Sequence, residues 1–199
     1  MNTFGSLHYN AIGPWLKERF GERVIKLSLD GGFTCPNRDG RCGTGGCIFC
    51  SDDGSGRFAS AVTSTSSGTG SDQPSEAVRT AIASQRELYR FKWPKAKYIA
   101  YFQNHTNTYA PAEKLRELWD AALSQDDVVG LAAATRPDCL PEDVLELLSE
   151  YNEKTFLWVE LGLQTANEKT AEFINRCYPN EVFAHACKEL SSRGIRFVT

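Results

Sequence analysis

Four cysteines fall within the sixteen residues of Cys35–Cys50, CPNRDGRCGTGGCIFC. Clustered thiols of this kind point to a zinc ion or an iron–sulfur cluster. Cys35, Cys47 and Cys50 stand as C-x11-C-x2-C, with the aromatic Phe49 directly before the last. Three thiolates hold three corners of a four-iron cluster and leave the fourth iron open to a small-molecule ligand. Reaction chemistry needs such an open position, whereas a structural zinc site is closed by four ligands. With Cys42 the loop offers four sulfurs, enough for a zinc-stabilised binding module that does no catalysis. Zinc ribbons, however, use two C-x2-C knuckles, and this loop has one. The spacing ranks iron–sulfur ahead of zinc and leaves both open.

Glycine and proline break helices and strands, so this loop cannot position its own thiols. Flanking elements must do that. Val24–Leu29 (VIKLSL) reads as a strand that ends at Asp30-Gly31-Gly32 and feeds the loop directly. Before it, Tyr9, Ile12, Trp15, Leu16 and Phe20 have helical spacing and predict a short helix at the domain's edge. After the loop, residues 59–72 are rich in Ser, Thr and Gly and are expected to be mobile. The chain then alternates. Helices are predicted from Pro74 to about Phe91 (inner face Val78, Ile82, Leu88, Tyr89), from Pro111, from Pro141, from Asn167 to Ile174 and from Val182 to Arg193. Strands are predicted at Lys97–Gln103, Val128–Thr135, Phe156–Leu163 and Ile195–Thr199. Such alternation means βαβ units and a parallel sheet of five strands.

In parallel α/β folds, ligands bind at the carboxyl ends of the strands. Those positions carry the cysteine loop, then Asn104–Tyr109, then Thr135-Arg136-Pro137-Asp138, and finally Glu160 with Gln164-Thr165. His105 lies on that rim. His8 and His185 read as structural or surface residues, and Cys139, Cys177 and Cys187 as packed thiols. Arg86, Arg90, Lys92, Lys95 and Lys97 form a basic run that reads first as a solvated face and second as a contact for RNA phosphates.

The 199 residues can bury one substantial core, and the net charge of −3 neither requires nor excludes a nucleic-acid partner. No run approaches the roughly 18–20 apolar residues that span a bilayer. The N-terminus lacks a secretion-signal layout, so a cytoplasmic location is expected, where thiols stay reduced.

GGFTCPNRDGRCGTGGCIFC resembles the cluster loop of the YhcC-type radical S-adenosylmethionine (SAM) family, itself similar to the radical domain of the Elongator catalytic subunit. YFQNHTNTYAP, ATRPDCLP and WVELGLQTANEKT resemble the family's later segments, in the same order. The resemblance implies an α/β fold, a partial (β/α) TIM-like barrel over residues 24–199 after an N-terminal extension, 1–23. It implies a 4Fe–4S cluster on Cys35, Cys47 and Cys50, with S-adenosyl-L-methionine on the open iron. One electron then cleaves the sulfonium, and the 5′-deoxyadenosyl radical abstracts a substrate hydrogen. Phe49, Thr106, Thr108, Glu160, Gln164 and Arg176 match positions that contact the cofactor, with Arg176 pairing its carboxylate. A flavodoxin- or ferredoxin-type reductant is implied, and a tRNA base, a wobble uridine, is the expected substrate. Two departures stand out. Asn104 and His105 replace two glycines, and Cys177-Tyr178-Pro179 follows Arg176 where Gly-His-Asp is usual. The chain stops inside its fifth predicted strand, which gives the expectation of an N-terminal piece of a longer protein.

Overall fold

The computed structural model describes residues 9–52, 54, 56, 58–62 and 74–199. Its centre is an all-parallel sheet of six strands in the order β2-β1-β3-β4-β5-β6. These are β1 (Val24–Asp30), β2 (Ser60–Ala61), β3 (Lys97–Phe102), β4 (Val128–Thr135), β5 (Phe156–Leu161) and β6 (Arg196–Val198). The helices are α1 (Ile12–Phe20), α2 (Pro74–Glu87), α3 (Ala112–Leu123), α4 (Glu142–Lys154), α5 (Glu168–Phe173) and α6 (Asn180–Ser192). Among the described residues, no helix is long and apolar enough to cross a membrane.

The apolar runs predict the central strands because both faces are covered. Leu27, Leu29, Ala100, Phe102, Leu131, Ala133, Leu157 and Val159 face α2, α3, α4 and α6 in the main core. That layer holds Leu115, Leu118, Trp119, Leu147, Leu148 and Tyr151, each buried and contributing about 1.5–3 kcal/mol by leaving water. The opposite face carries Ile99, Tyr101, Ala132, Phe156 and Trp158, and α1 packs on it through Trp15, Leu16 and Phe20. Thus α1 plugs the inner face of the partial barrel instead of lying along its edge. Gly21 ends this helix at φ 77, a left-handed conformation glycine adopts freely.

The sheet differs from the five-strand expectation at one edge. Ser60–Ala61, inside the segment expected to be mobile, pairs in parallel with Leu29–Asp30 as β2. Two residues carry no periodicity, so nothing in their composition announces a strand. The remainder of that segment, 63–72, and His8 lie outside the described residues. Helix α2 also stops at Glu87, leaving Leu88 and Phe91 exposed. Tyr89 stacks on Trp93 at 5.8 Å across a tight turn, and Pro94 then directs the chain into β3. The basic run from Arg86 to Lys97 therefore sits at the amino ends of the strands.

Candidate functional site

The cysteine loop leaves the carboxyl end of β1 and is held by its own hydrogen bonds. Arg38 and Asp39 donate main-chain N–H groups to the Cys35 carbonyl at 2.8 and 3.1 Å. Cys42 donates to Pro36 at 2.9 Å, Gly46 to Asn37 at 2.7 Å, and Cys50 to Cys47 at 3.0 Å. The Arg38 guanidinium donates to the carbonyls of Cys50 (3.2 Å) and Ser51 (2.5 Å), closing the loop's far side. Two glycines are sterically required. A Cβ on Gly43 would stand 2.1 Å from Asn37 Oδ1, and Gly46 has φ +72.

Cys35, Cys47 and Cys50 line one cavity of about 500 Å³ at the carboxyl ends of the strands. Phe49, Thr106, Glu160, Gln164 and Arg176 line the same cavity. Cys42 does not: it is exposed, with its sulfur 3.8 Å from Arg136 Nη2. Among the described residues, no three His, Cys, Asp or Glu side chains converge closely enough to hold a single ion. Burial raises the Cys47 thiol above its ordinary pKa, with the Asn37 N–H and the Arg136 charge opposing. Metal binding there therefore releases a proton.

Side chains of one chemical type divide sharply in this site. Thr106 is fully buried, and its Oγ1 has no hydrogen-bond partner among the described residues. A buried hydroxyl without a partner costs free energy unless a ligand satisfies it. Thr108, expected beside it, faces away from the cavity. Its Oγ1 bonds Thr135 Oγ1 at 2.5 Å and the Cys139 carbonyl, joining the loop after β3 to the end of β4. The cofactor role expected of Thr108 is therefore withdrawn, because its hydroxyl is consumed by the scaffold.

Arg176 requires the same correction. It is 1% exposed, and all five of its N–H donors are engaged. Nε bonds the Tyr178 carbonyl at 3.0 Å; Nη1 bonds Leu163 at 3.0 Å and Thr165 at 2.7 Å. Nη2 bonds Tyr178 at 2.8 Å and Asn180 Oδ1 at 3.0 Å. No donor remains for a ligand carboxylate. Arg176 instead ties the end of β5 to the α5–α6 connection.

Glu160 reaches the cavity wall already partnered. Its oxygens accept from Lys26 Nζ at 2.8 Å, Trp158 Nε1 at 3.2 Å and Tyr101 Oη at 2.5 Å. Burial opposes its charge, but these three donors outweigh it, so its pKa falls below the usual carboxylate value. Gln164 sits at φ 68, and a Cβ on Gly162 would come within 2.9 Å of its amide nitrogen. His105, at φ 57, takes a left-handed backbone where the resemblance leads one to expect glycine.

Two residues of the site were legible only as loop members. Arg136 is buried in the cavity wall and paired with Asp138 through Nε (2.9 Å) and Nη2 (2.7 Å). Its Nη1 also bonds the Arg176 carbonyl at 3.0 Å, leaving one N–H without a partner among the described residues. The sequence signal was Arg-Pro-Asp at a strand end. Asn37, fully buried inside the cysteine loop, is the other.

A parallel β/α sheet with three thiols gathered at the end of its first strand defines a class. The chain belongs to the radical SAM superfamily, whose family model matches residues 38–199. Among its relatives, YtqA of Bacillus subtilis is 48% identical over 188 residues, 94% of this chain and 55% of YtqA. YhcC of Escherichia coli K12 is 39% identical over 189 residues, covering 94% of this chain and 56% of YhcC. MJ0486 of Methanocaldococcus jannaschii is 37% identical over 188 residues, 92% of this chain and 53% of that protein. The chain thus spans little more than half the length of these relatives. The cobalamin-dependent SAM radical enzyme OxsB, solved with aqua-cobalamin and SAM bound, shares the fold. Its TM-score is 0.51 at 14% identity, over 94% of this chain and 24% of OxsB.

Proposed function

We propose that this chain carries a 4Fe–4S cluster on Cys35, Cys47 and Cys50 and binds S-adenosyl-L-methionine in the adjoining cavity. The observation that carries this reading is that those three cysteines and Thr106, whose buried hydroxyl has no partner among the described residues, line one cavity. When bound, the two groups supply a 5′-deoxyadenosyl radical that abstracts hydrogen from a substrate. The protein's own residues position and shield. Thr106 offers its hydroxyl to a ligand ammonium, Gln164 and the backbone at Phe49 flank the nucleoside, and Arg136 provides the free N–H for a carboxylate. Glu160, kept ionised by Lys26, Tyr101 and Trp158, orders the polar floor. The substrate is a base of tRNA, a wobble uridine, supported by the similarity to the Elongator radical domain. The basic run does not add to that reading, since it lies at the opposite end of the strands. A flavodoxin- or ferredoxin-type reductant delivers the electron, and exposed Arg41 on the cluster loop suits an acidic partner. A cytoplasmic location goes with this reading.

The test is anaerobic reconstitution followed by dithionite and SAM. Release of 5′-deoxyadenosine by the wild-type chain and not by Cys47→Ala is expected. A fully loaded cluster that leaves SAM intact overturns the reading. Thr106→Val separates ligand contact from scaffold. It is expected to leave the ligand-free protein as stable or up to about 1–3 kcal/mol more stable, since a buried hydroxyl without a partner is removed. The same change is expected to weaken SAM binding several-fold. Thermal unfolding and calorimetric titration check the two halves.

A further inference from the structure

Asn37 makes no contact that the cluster-ligand pattern requires, yet the loop is shaped around it. It is wholly buried, and each polar atom of its side chain has a partner. Nδ2 donates to the Asn175 carbonyl at 2.6 Å and to Cys47 Sγ at 3.4 Å. Oδ1 lies 3.1 Å from the Cys177 sulfur, whose single S–H is shared among this oxygen, Asn175 Oδ1 at 3.2 Å and the Asn175 carbonyl at 3.5 Å. A carbonyl oxygen can only accept, so the Asn175 contact fixes which end of the amide carries the hydrogens. The second N–H then points at Cys47. Asn175 answers in kind, donating from Nδ2 to the Gly46 carbonyl at 2.8 Å. These two asparagines join the cysteine loop to the α5–α6 connection across 138 residues of sequence.

We infer that Asn37 is a positioning residue that tunes the cluster electronically by donating its amide N–H to the sulfur of Cys47. The inference rests on the cluster reading given above. An N–H donated to a ligating sulfur withdraws charge from it and stabilises the more negative, reduced cluster. Asn37 therefore makes the cluster easier to reduce. When the Cys177 S–H points at the amide oxygen, it polarises the same group and strengthens its N–H as a donor. The arrangement also gives a reason for cysteine at position 177, where the family pattern has glycine.

The experiment compares midpoint potentials by EPR-monitored titration of the reconstituted chain. Asn37→Asp keeps the shape and an oxygen facing Cys177 but loses the N–H to sulfur. At a fixed applied potential its ratio of reduced to oxidised cluster is expected to fall at least tenfold, about 59 mV for a one-electron couple. Asn175→Gly keeps the left-handed backbone and loosens the same loop without touching the N–H to Cys47. Its ratio is expected to stay within twofold of wild type. An unshifted Asn37→Asp, or an equal shift in both variants, overturns the inference.

Should Asn37→Asp hold no cluster, the wild-type chain decides. With asparagine labelled with ¹⁵N at the side-chain amide, pulsed EPR of the reduced cluster is expected to show a hyperfine coupling that the unlabelled protein lacks. Its absence overturns the inference. A wild-type chain that takes up no iron overturns the cluster reading itself, a failure recognisable before any potential is measured.

Discussion

Replacing Cys35, Cys47 or Cys50 singly with alanine is expected to cut iron uptake on anaerobic reconstitution at least tenfold. Cys42→Ala is expected to keep the wild-type level of roughly four irons per chain, with its broad brown absorption. The asymmetry follows from placement. The three former thiols border one cavity, and Cys42 lies outside it beside Arg136. Two thiolates cannot hold three corners of a cluster, so each single loss acts nearly as strongly as a double one. Circular dichroism of the metal-free variants is expected to match wild type, because the core strands and α2–α4 do not depend on the loop. Iron analysis and absorption spectra check this. Equal loss of metal in Cys42→Ala and Cys47→Ala, with one zinc per chain in the wild type, would return the four-cysteine zinc module.

The second large effect concerns stability. Arg176→Met is expected to destabilise the ligand-free chain by about 3–5 kcal/mol, because several acceptors lose their donor at about 1–3 kcal/mol each. For a chain of this size, that lowers the melting temperature by on the order of 10 °C. Met fills much of the volume but leaves the carbonyls of Leu163, Thr165 and Tyr178 without their donor. Arg176→Lys is expected to recover little, since a lysine has three donors and no planar fork to reach carbonyls on two segments. A residue that served only the cofactor carboxylate would behave in the opposite way, with normal stability and weakened SAM binding. Differential scanning calorimetry without ligand distinguishes the two.

The sheet was legible where burial is symmetric. Val128–Thr135 and Phe156–Leu163 read as strands because helices cover one face and α1 packs on the other, so nearly every residue is apolar; the second strand ends at Leu161. β2 was not legible, because an edge pair of two residues makes its hydrogen bonds with main chain alone. The end of α2 was misplaced because Leu88 and Phe91 continue a helical pattern that the Tyr89–Trp93 stack and Pro94 interrupt. The helical spacing of Trp15, Leu16 and Phe20 predicts α1 but not its destination. The same stripe serves equally an edge or the inner face of a barrel.

The site divides along the same line. Spacing ranked an open three-thiol set ahead of a four-cysteine zinc site, and the family resemblance named Cys35, Cys47 and Cys50, because ligand number and separation are properties of the chain and of the metal. Strand ends likewise announced Thr106, Glu160 and Gln164, because a parallel sheet sends those loops to one rim. Direction was not in the sequence. Thr106 and Thr108 are two residues apart and chemically identical, yet Thr106 lines the cavity with its buried hydroxyl unpartnered among the described residues, and the hydroxyl of Thr108 bonds Thr135 and Cys139. Arg176 reads in the sequence as a ligand for an anion, but four protein acceptors engage its five donors; Arg136 and Asn37 read as loop residues, but they stand beside the thiols. The sequence by itself determined which groups are available and roughly where the chain delivers them. Only the tertiary structure decided which of them are already spent, because a hydrogen-bond donor's partners come from segments as distant as Asn37 and Asn175.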